Sequence, residues 1–158
     1  MIGSSGSDSL RDHPARESQA ETVAGVARVL IVEDHYAVRR SLIRLLDQQP
    51  GLTLCAAVAS AERALDLADQ QPIDLAIVGI ALRQMDGLEL TRQLRRRHPH
   101  LRVLILSIYE PAVYSRRALD AGASGFLAKG EAGAAILTAI HQVLAGHTYV
   151  SPPPDAIH

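Results

Sequence analysis

The feature that most constrains this 158-residue chain is a repeated alternation of short, predominantly apolar runs with longer amphipathic stretches. The segment Asp74-Leu75-Ala76-Ile77-Val78-Gly79 sets the type. Its apolar part is too uniform for a half-exposed strand and too short for most helices, so it reads as a strand buried on both faces, as in a parallel sheet. Runs of the same kind occupy residues 29–32, 52–58, 102–107 and 124–128. Between them the apolar residues move to helical spacing: Val38, Leu42, Leu45 and Leu46 share one face of residues 35–48 while Arg39, Arg40 and Arg44 take the other. Further helices are expected from Ser60 to about residue 70, from Asp86 to His98, from Pro111 to about residue 120 and over residues 132–144. Ser60 is a natural N-cap, and Asp86 with Glu89 has the spacing of a capping box. Pro50-Gly51, Pro72, Pro99, Gly122 and Gly146 punctuate the elements. Five strands alternating with five helices predict an α/β domain with a central parallel sheet covered on both sides.

Composition narrows the function classes. A hydrophobic fraction of 47% with only 3% aromatic residues and no Trp predicts an aliphatic core. Sixteen basic against seventeen acidic residues leave a net charge of -1, so no global attraction to nucleic acid or an anionic membrane is implied. Cys55 is the single cysteine and reads as a small core residue. No apolar run approaches the roughly 18 residues of a membrane span, and the amino terminus lacks the basic-then-apolar order of a secretory signal. A reducing, cytoplasmic setting is expected. Residues 1–26 are rich in Ser, Gly and charge and read as a disordered extension, with GSSGS resembling a vector-derived remnant. The domain is expected over residues 27–148, followed by a tail or the start of a linker at 149–158.

In an open parallel sheet, ligands gather at the carboxyl ends of the strands. Glu33 and Asp34 follow the first strand, Gly79 ends the third, Ser107 the fourth and Lys129 the fifth. Two carboxylates can hold a hard divalent cation through oxygen, and a hydroxyl with an ammonium can contact phosphoryl oxygens. Taken singly, the acidic pair reads as helix N-terminal charge and the lysine as a solvated residue. Their convergence is what points to a site. The basic run Arg95-Arg96-Arg97-His98 reads as a solvated helix end complementing the dipole rather than as a nucleic-acid surface. His35, beside the acidic pair, reads as a surface or hydrogen-bonding residue rather than a metal ligand.

On these residues the chain resembles the receiver domain of bacterial two-component response regulators. The likeness covers about residues 28–150 and rests on VLIVEDH, DLAIVGIALRQMDG, LILS and AGASGFLAKG. The phrases DAGASGFLAKG and AGHTYVSP are most similar to the NarL/FixJ (LuxR-type) branch, whose members normally continue into a helix-turn-helix DNA-binding domain; this sequence stops at His158. The resemblance implies a flavodoxin-like (CheY-like) doubly wound sheet of five strands, order 2-1-3-4-5, with five helices. It makes Glu33 and Asp34 the Mg2+-binding pair, Ser107 and Lys129 the phosphoryl contacts, and Phe126 the switch aromatic, a position equally consistent with a core aromatic. The phospho-acceptor aspartate of the family falls on Gly79, which has no nucleophile. Asp86 belongs to the family's loop pattern and Asp74 lies at the opposite end of the strand, so neither is expected to substitute.

The expectation is therefore a phosphorylation-incompetent receiver with no catalytic residue. It is expected to act as a signalling, protein-interaction and dimerisation module whose partner is a sensor histidine kinase, an output domain or a second copy. Neither nucleic acid nor membrane is expected to bind the domain itself. The alternative is an ordinary phosphorelay receiver of a LuxR-type transcriptional regulator carrying an Asp-to-Gly replacement and lacking its DNA-binding domain. A small enzyme on a flavodoxin-like fold is disfavoured, since no Walker or dinucleotide glycine motif and no legible Ser/His/Asp order occurs. Three carboxylates about 5 Å apart would repel by roughly 3 kcal/mol per pair at an effective dielectric near 20. Losing one should relieve the metal-free domain and weaken its Mg2+ site.

Overall fold

The computed structural model describes residues 26–108, 111–130 and 133–151. The expected N-terminal extension, up to residue 25, and the tail from residue 152 lie outside the described residues. The elements run β1 (Ala27–Val32), α1 (Tyr36–Asp47), β2 (Leu52–Val58), α2 (Ala61–Gln70), β3 (Leu75–Gly79), α3 (Gly87–Arg97), β4 (Arg102–Ser107), α4 (Pro111–Asp120), β5 (Gly125–Ala128), α5 (Gly133–Leu144) and β6 (Tyr149–Val150). Every strand pairing is parallel and the order is β2-β1-β3-β4-β5-β6.

The uniformly apolar strands follow from burial on both faces. Successive side chains of a strand point to opposite faces. Leu30, Val32, Ala76, Val78, Val103 and Ile105 accordingly pack with α2, α3 and α4, whose buried contributors include Ala64, Leu65, Leu90, Leu94 and Ala118. Val29, Ile31, Leu75, Ile77, Leu104 and Leu106 pack on the other side with Leu42 and Leu46 of α1 and Ala139, Ile140 and Val143 of α5. All five residues of β3 are buried, which makes it the axis of both cores.

The five-strand expectation is corrected to six. Tyr149 and Val150 pair in parallel with Gly125 and Phe126, and the ladder continues as Ser151 N–H donates to the Phe126 carbonyl at 2.9 Å and the Ser151 hydroxyl accepts from Ala128 N–H at 3.0 Å. The ordered domain thus runs past residue 148, into what reads by sequence as tail. Two residues are too few to show an alternation, and β6 forms because β5 would otherwise be an open edge with unpaired backbone groups.

Local signals hold with one amendment. Ser60 accepts from Arg63 N–H at 3.2 Å and Asp86 from Glu89 N–H at 2.8 Å, capping α2 and α3. The reciprocal half of the capping box does not form. The Glu89 carboxylate instead takes hydrogen bonds from Arg92 and Gln93, and the Gln93 bond, then that of Arg92, holds its carboxyl below the usual value. Cys55 is half-buried on β2 rather than fully in the core. Burial pushes its thiol up, against a smaller opposing effect of the Arg28 charge, so the reactive thiolate is scarce at neutral pH.

Gly87, at the start of α3, is a requirement the sequence did not announce. A Cβ there would lie 2.3 Å from the Gly79 carbonyl oxygen and 2.8 Å from Ile80 Cα, both backbone atoms that cannot swing aside. The close approach is fixed by Gly87 N–H donating to the Ile80 carbonyl at 2.8 Å. Gly87→Ala should therefore destabilise by about 1–3 kcal/mol, the usual range for overpacking. Urea denaturation with an unchanged m-value and a lower midpoint is the expected result.

Candidate functional site at the carboxyl edge of the sheet

The register determines which residues meet. Val32 is aligned with Val78, Gly79 with Leu106, and Ser107 with Ala128, so the chain leaves the sheet at one edge. The ladder extends one residue beyond three strands: Glu33 N–H donates to the Val58 carbonyl at 2.9 Å, Ile80 N–H to Leu106 at 3.0 Å and Lys129 N–H to Ser107 at 2.8 Å. This is why Glu33, Gly79, Ser107 and Lys129 lie together despite long sequence separations. Asp74 is at the opposite edge, where Arg28 holds it through its backbone N–H at 2.7 Å and its guanidinium Nε at 3.1 Å.

Glu33 is the centre of the arrangement. Its side chain is only 1% exposed, and both carboxylate oxygens lie near the Lys129 ammonium, Oε1 at 3.1 Å and Oε2 at 3.2 Å. Oε2 also accepts from His35 N–H at 2.8 Å. Oε1 has no partner of hydrogen-bonding geometry and points at the hole beside Gly79: a Cβ built on Gly79 would sit 2.6 Å from it. The volume a side chain at 79 would use is thus taken by the Glu33 carboxylate.

Asp34 is partly buried and pairs with the Arg83 guanidinium at 3.0 Å, a bridge in which Arg83 is 82% exposed. The Arg39 guanidinium donates to the Glu33 carbonyl at 2.7 Å. Arg39 and Arg83 are members of this edge that the residue pattern does not single out, since Arg39 lies on the polar face of α1 and Arg83 in the segment between β3 and α3. Position was the available signal, since each lies within one helical turn or loop of a strand's carboxyl end.

Ser107 is fully buried at the end of β4. Phe126 is 0% exposed and packs in the core on the α2, α3 and α4 side, so as placed it is a core aromatic. His35 caps α1, its Nδ1 accepting from Val38 N–H at 3.4 Å. The basic run is engaged locally: Arg97 and His98 both reach Asp69, at 2.9 and 2.8 Å, and Arg95 donates to the carbonyls of Pro99 and Leu101. A cavity of about 410 Å³ lies between α1 and α5, with Lys129 at its margin and an aliphatic lining of Val38, Leu42, Leu45, Leu106 and Ile136. It does not gather the convergent polar groups of a reaction pocket.

Among the described residues no cluster of three or more His, Cys, Asp or Glu side chains could hold a metal ion. Glu33 and Asp34 are two carboxylates, each already in contact with a basic side chain. As arranged, they do not fit a Mg2+ ion, which needs near-octahedral oxygen ligation and usually keeps water besides its carboxylates.

Comparison with known proteins agrees with the geometry. Residues 29–141 match the family model described as the response regulator receiver domain. The chain is 40% identical over 125 residues to the transcriptional activator protein ExaE of Pseudomonas putida and 36% identical over 125 residues to the response regulator GacA of Pseudomonas viridiflava. Each alignment covers 79% of this chain and 58% of the relative, so the chain spans little more than half the length of these relatives. A solved LuxR-family two-component response regulator from Aurantimonas sp. SI85-9A1 superposes with a TM-score of 0.76 at 32% identity, covering 80% of this chain and 91% of that one. The chain belongs to the response regulator receiver domain family, among relatives of the LuxR type.

Proposed function

We propose that this receiver does not accept a phosphoryl group and works as a protein-interaction and dimerisation module of a two-component system. The observation that carries the reading is at β3: the position corresponding to the family's acceptor is Gly79, and the space beside it holds the Glu33 carboxylate paired with Lys129. Phosphoryl transfer needs an exposed carboxylate nucleophile in line with the donor. Gly79 offers none, and Glu33 is buried. Ser107 and Lys129 keep the positions of phosphoryl contacts, and Phe126 that of the switch aromatic, without an acceptor to serve. With one anionic ligand missing, any Mg2+ affinity falls below that of a receiver with a carboxylate at this position. The domain is a cytoplasmic binding module and not an enzyme.

A protein partner, whether a sensor histidine kinase, an output domain or a second copy, is supported by the exposed apolar side chains around α4. Ile108 is 71% and Val113 59% exposed. Regulation of transcription, the role for which the ExaE relative is named, would be exerted through a separate DNA-binding domain, with no nucleic acid bound by the receiver. Among the described residues no helix is long and apolar enough to cross a membrane.

Intact-mass spectrometry after incubation with acetyl phosphate and MgCl2 tests the central statement. The expected spectrum is unchanged. A stoichiometric phosphoryl adduct, stable in acid and labile in base, would overturn it.

The second reading, an ordinary phosphorelay receiver carrying an Asp-to-Gly replacement, is favoured by one observation. The remainder of the pocket, Glu33, Asp34, Ser107 and Lys129, is retained at one edge of the sheet. The second reading requires the Gly79→Asp variant to accept a phosphoryl group, whereas the first concerns the unaltered chain and holds whichever way that variant behaves.

A further inference from the structure

The receiver edge carries more positive charge than its two carboxylates require. Lys129 lies against Glu33, Arg83 against Asp34, and Arg39 donates to the Glu33 carbonyl oxygen. Each carboxylate is therefore matched by one cation, and a third, Arg39, is held on the backbone carbonyls of the same two residues. These contacts are unequal in strength. The Asp34–Arg83 bridge is exposed on its Arg83 side and so weak, whereas the Glu33–Lys129 pair is mostly buried, with side chains 1% and 16% exposed. A divalent ion entering here would have to expel the Lys129 ammonium from Glu33, displace Arg83 from Asp34, and rest beside the Arg39 guanidinium.

We propose that this receiver has become independent of a divalent cation: Lys129 and Arg83 supply internally the positive charge that a metal would otherwise bring, and Glu33 takes the place of the missing side chain at position 79. The Glu33 carboxylate is the positioning residue. Engaged by Lys129 and His35 N–H, it must give up both contacts to turn toward an ion, and its Oε1 fills the hole beside Gly79. The consequence is a site with a single setting. Lys129, which leads from β5 toward α5, is held in the same place whether or not Mg2+ is present. The inference rests on the reading of Gly79 as the former acceptor in the choice of Mg2+ as the probe and in the place it gives Glu33.

The test is a titration of the full chain with MgCl2 against NaCl at matched ionic strength, read by the backbone amide shifts of Asp34, Ile80 and Lys129 and by thermal denaturation. The unaltered chain should show no Mg2+-specific shift and no Mg2+-specific change in Tm. Arg83→Gln frees Asp34 at an exposed position where folding is not at risk, and Lys129→Gln frees Glu33. One or both of these variants should gain a saturable Mg2+ response, Lys129→Gln as a rise in Tm over the NaCl control. A saturable response in the unaltered chain would overturn the inference, as would its absence from both variants, since the internal cations would then not be what excludes the ion. No phosphodonor enters this test. A chain that binds Mg2+ yet gains no phosphoryl mass would sink this inference and leave the proposed function standing, and a chain that gains phosphoryl mass would do the reverse.

Discussion

Gly79→Asp should acquire one phosphoryl group from acetyl phosphate in the presence of Mg2+, where the unaltered chain acquires none. The new Cβ would start 2.6 Å from Glu33 Oε1 and 3.2 Å from Glu33 Cδ, closer than the atoms can remain. What it meets is the far end of a flexible side chain, so Glu33 can rotate out while the backbone of β3 stays in register with β1 and β4. The displaced Glu33 and the new aspartate then compete for Lys129. Three carboxylates about 5 Å apart repel by roughly 3 kcal/mol per pair at an effective dielectric near 20, so the variant needs a metal that the unaltered chain does not. Its Tm should be lower than that of the unaltered chain without Mg2+ and should recover when MgCl2 is added. A folded Gly79→Asp protein that gains no phosphoryl mass would mean that the pocket has diverged at more than one residue, and would remove the second reading of its function.

Replacing Lys129 by Met should be the most destabilising single change at this edge. It leaves the Glu33 carboxylate buried at 1% exposure with His35 N–H as its remaining polar contact. Removing one partner of a buried ion pair costs about 3–5 kcal/mol, because the surviving charge stays desolvated without compensation. The partly exposed lysine and the His35 bond favour the lower end. A loss of about 3 kcal/mol in a domain of this size lowers Tm by on the order of 10 °C. Adding Glu33→Gln to Lys129→Met should restore most of that loss, since the neutral amide needs no cation. The double-mutant cycle would then show strong coupling between the two positions. Equal losses in the single and double variants would show that Lys129 contributes packing rather than charge.

The fold was legible because its physical cause is local. A strand buried on both faces cannot carry polar residues in its middle, so residues 29–32, 75–78 and 103–106 declare themselves, and the helices between them declare their buried faces through Leu42, Leu46, Leu90 and Leu94. The exception shows the same logic in reverse. β6 has two residues, too few for any pattern, and exists because β5 offers an edge to pair with. Gly87 was equally silent: a glycine opening a helix has many ordinary explanations, and only the approach of the β3–α3 turn to the Gly79 carbonyl singles it out.

At the site, the sequence alone determined which chemical groups lie at the strand ends and which is missing. The absence of a carboxylate at residue 79 is a matter of covalent structure, and no folding can supply one there. What only the tertiary structure decided is where the neighbouring charges go in response. Glu33 turns into the space beside Gly79 and meets Lys129, 96 residues further along the chain, while Arg83 folds back to Asp34. Such pairings depend on side-chain reach, burial and the register of four strands at once. A buried charge takes whatever compensation the folded neighbourhood provides, and that neighbourhood exists only after the sheet has formed.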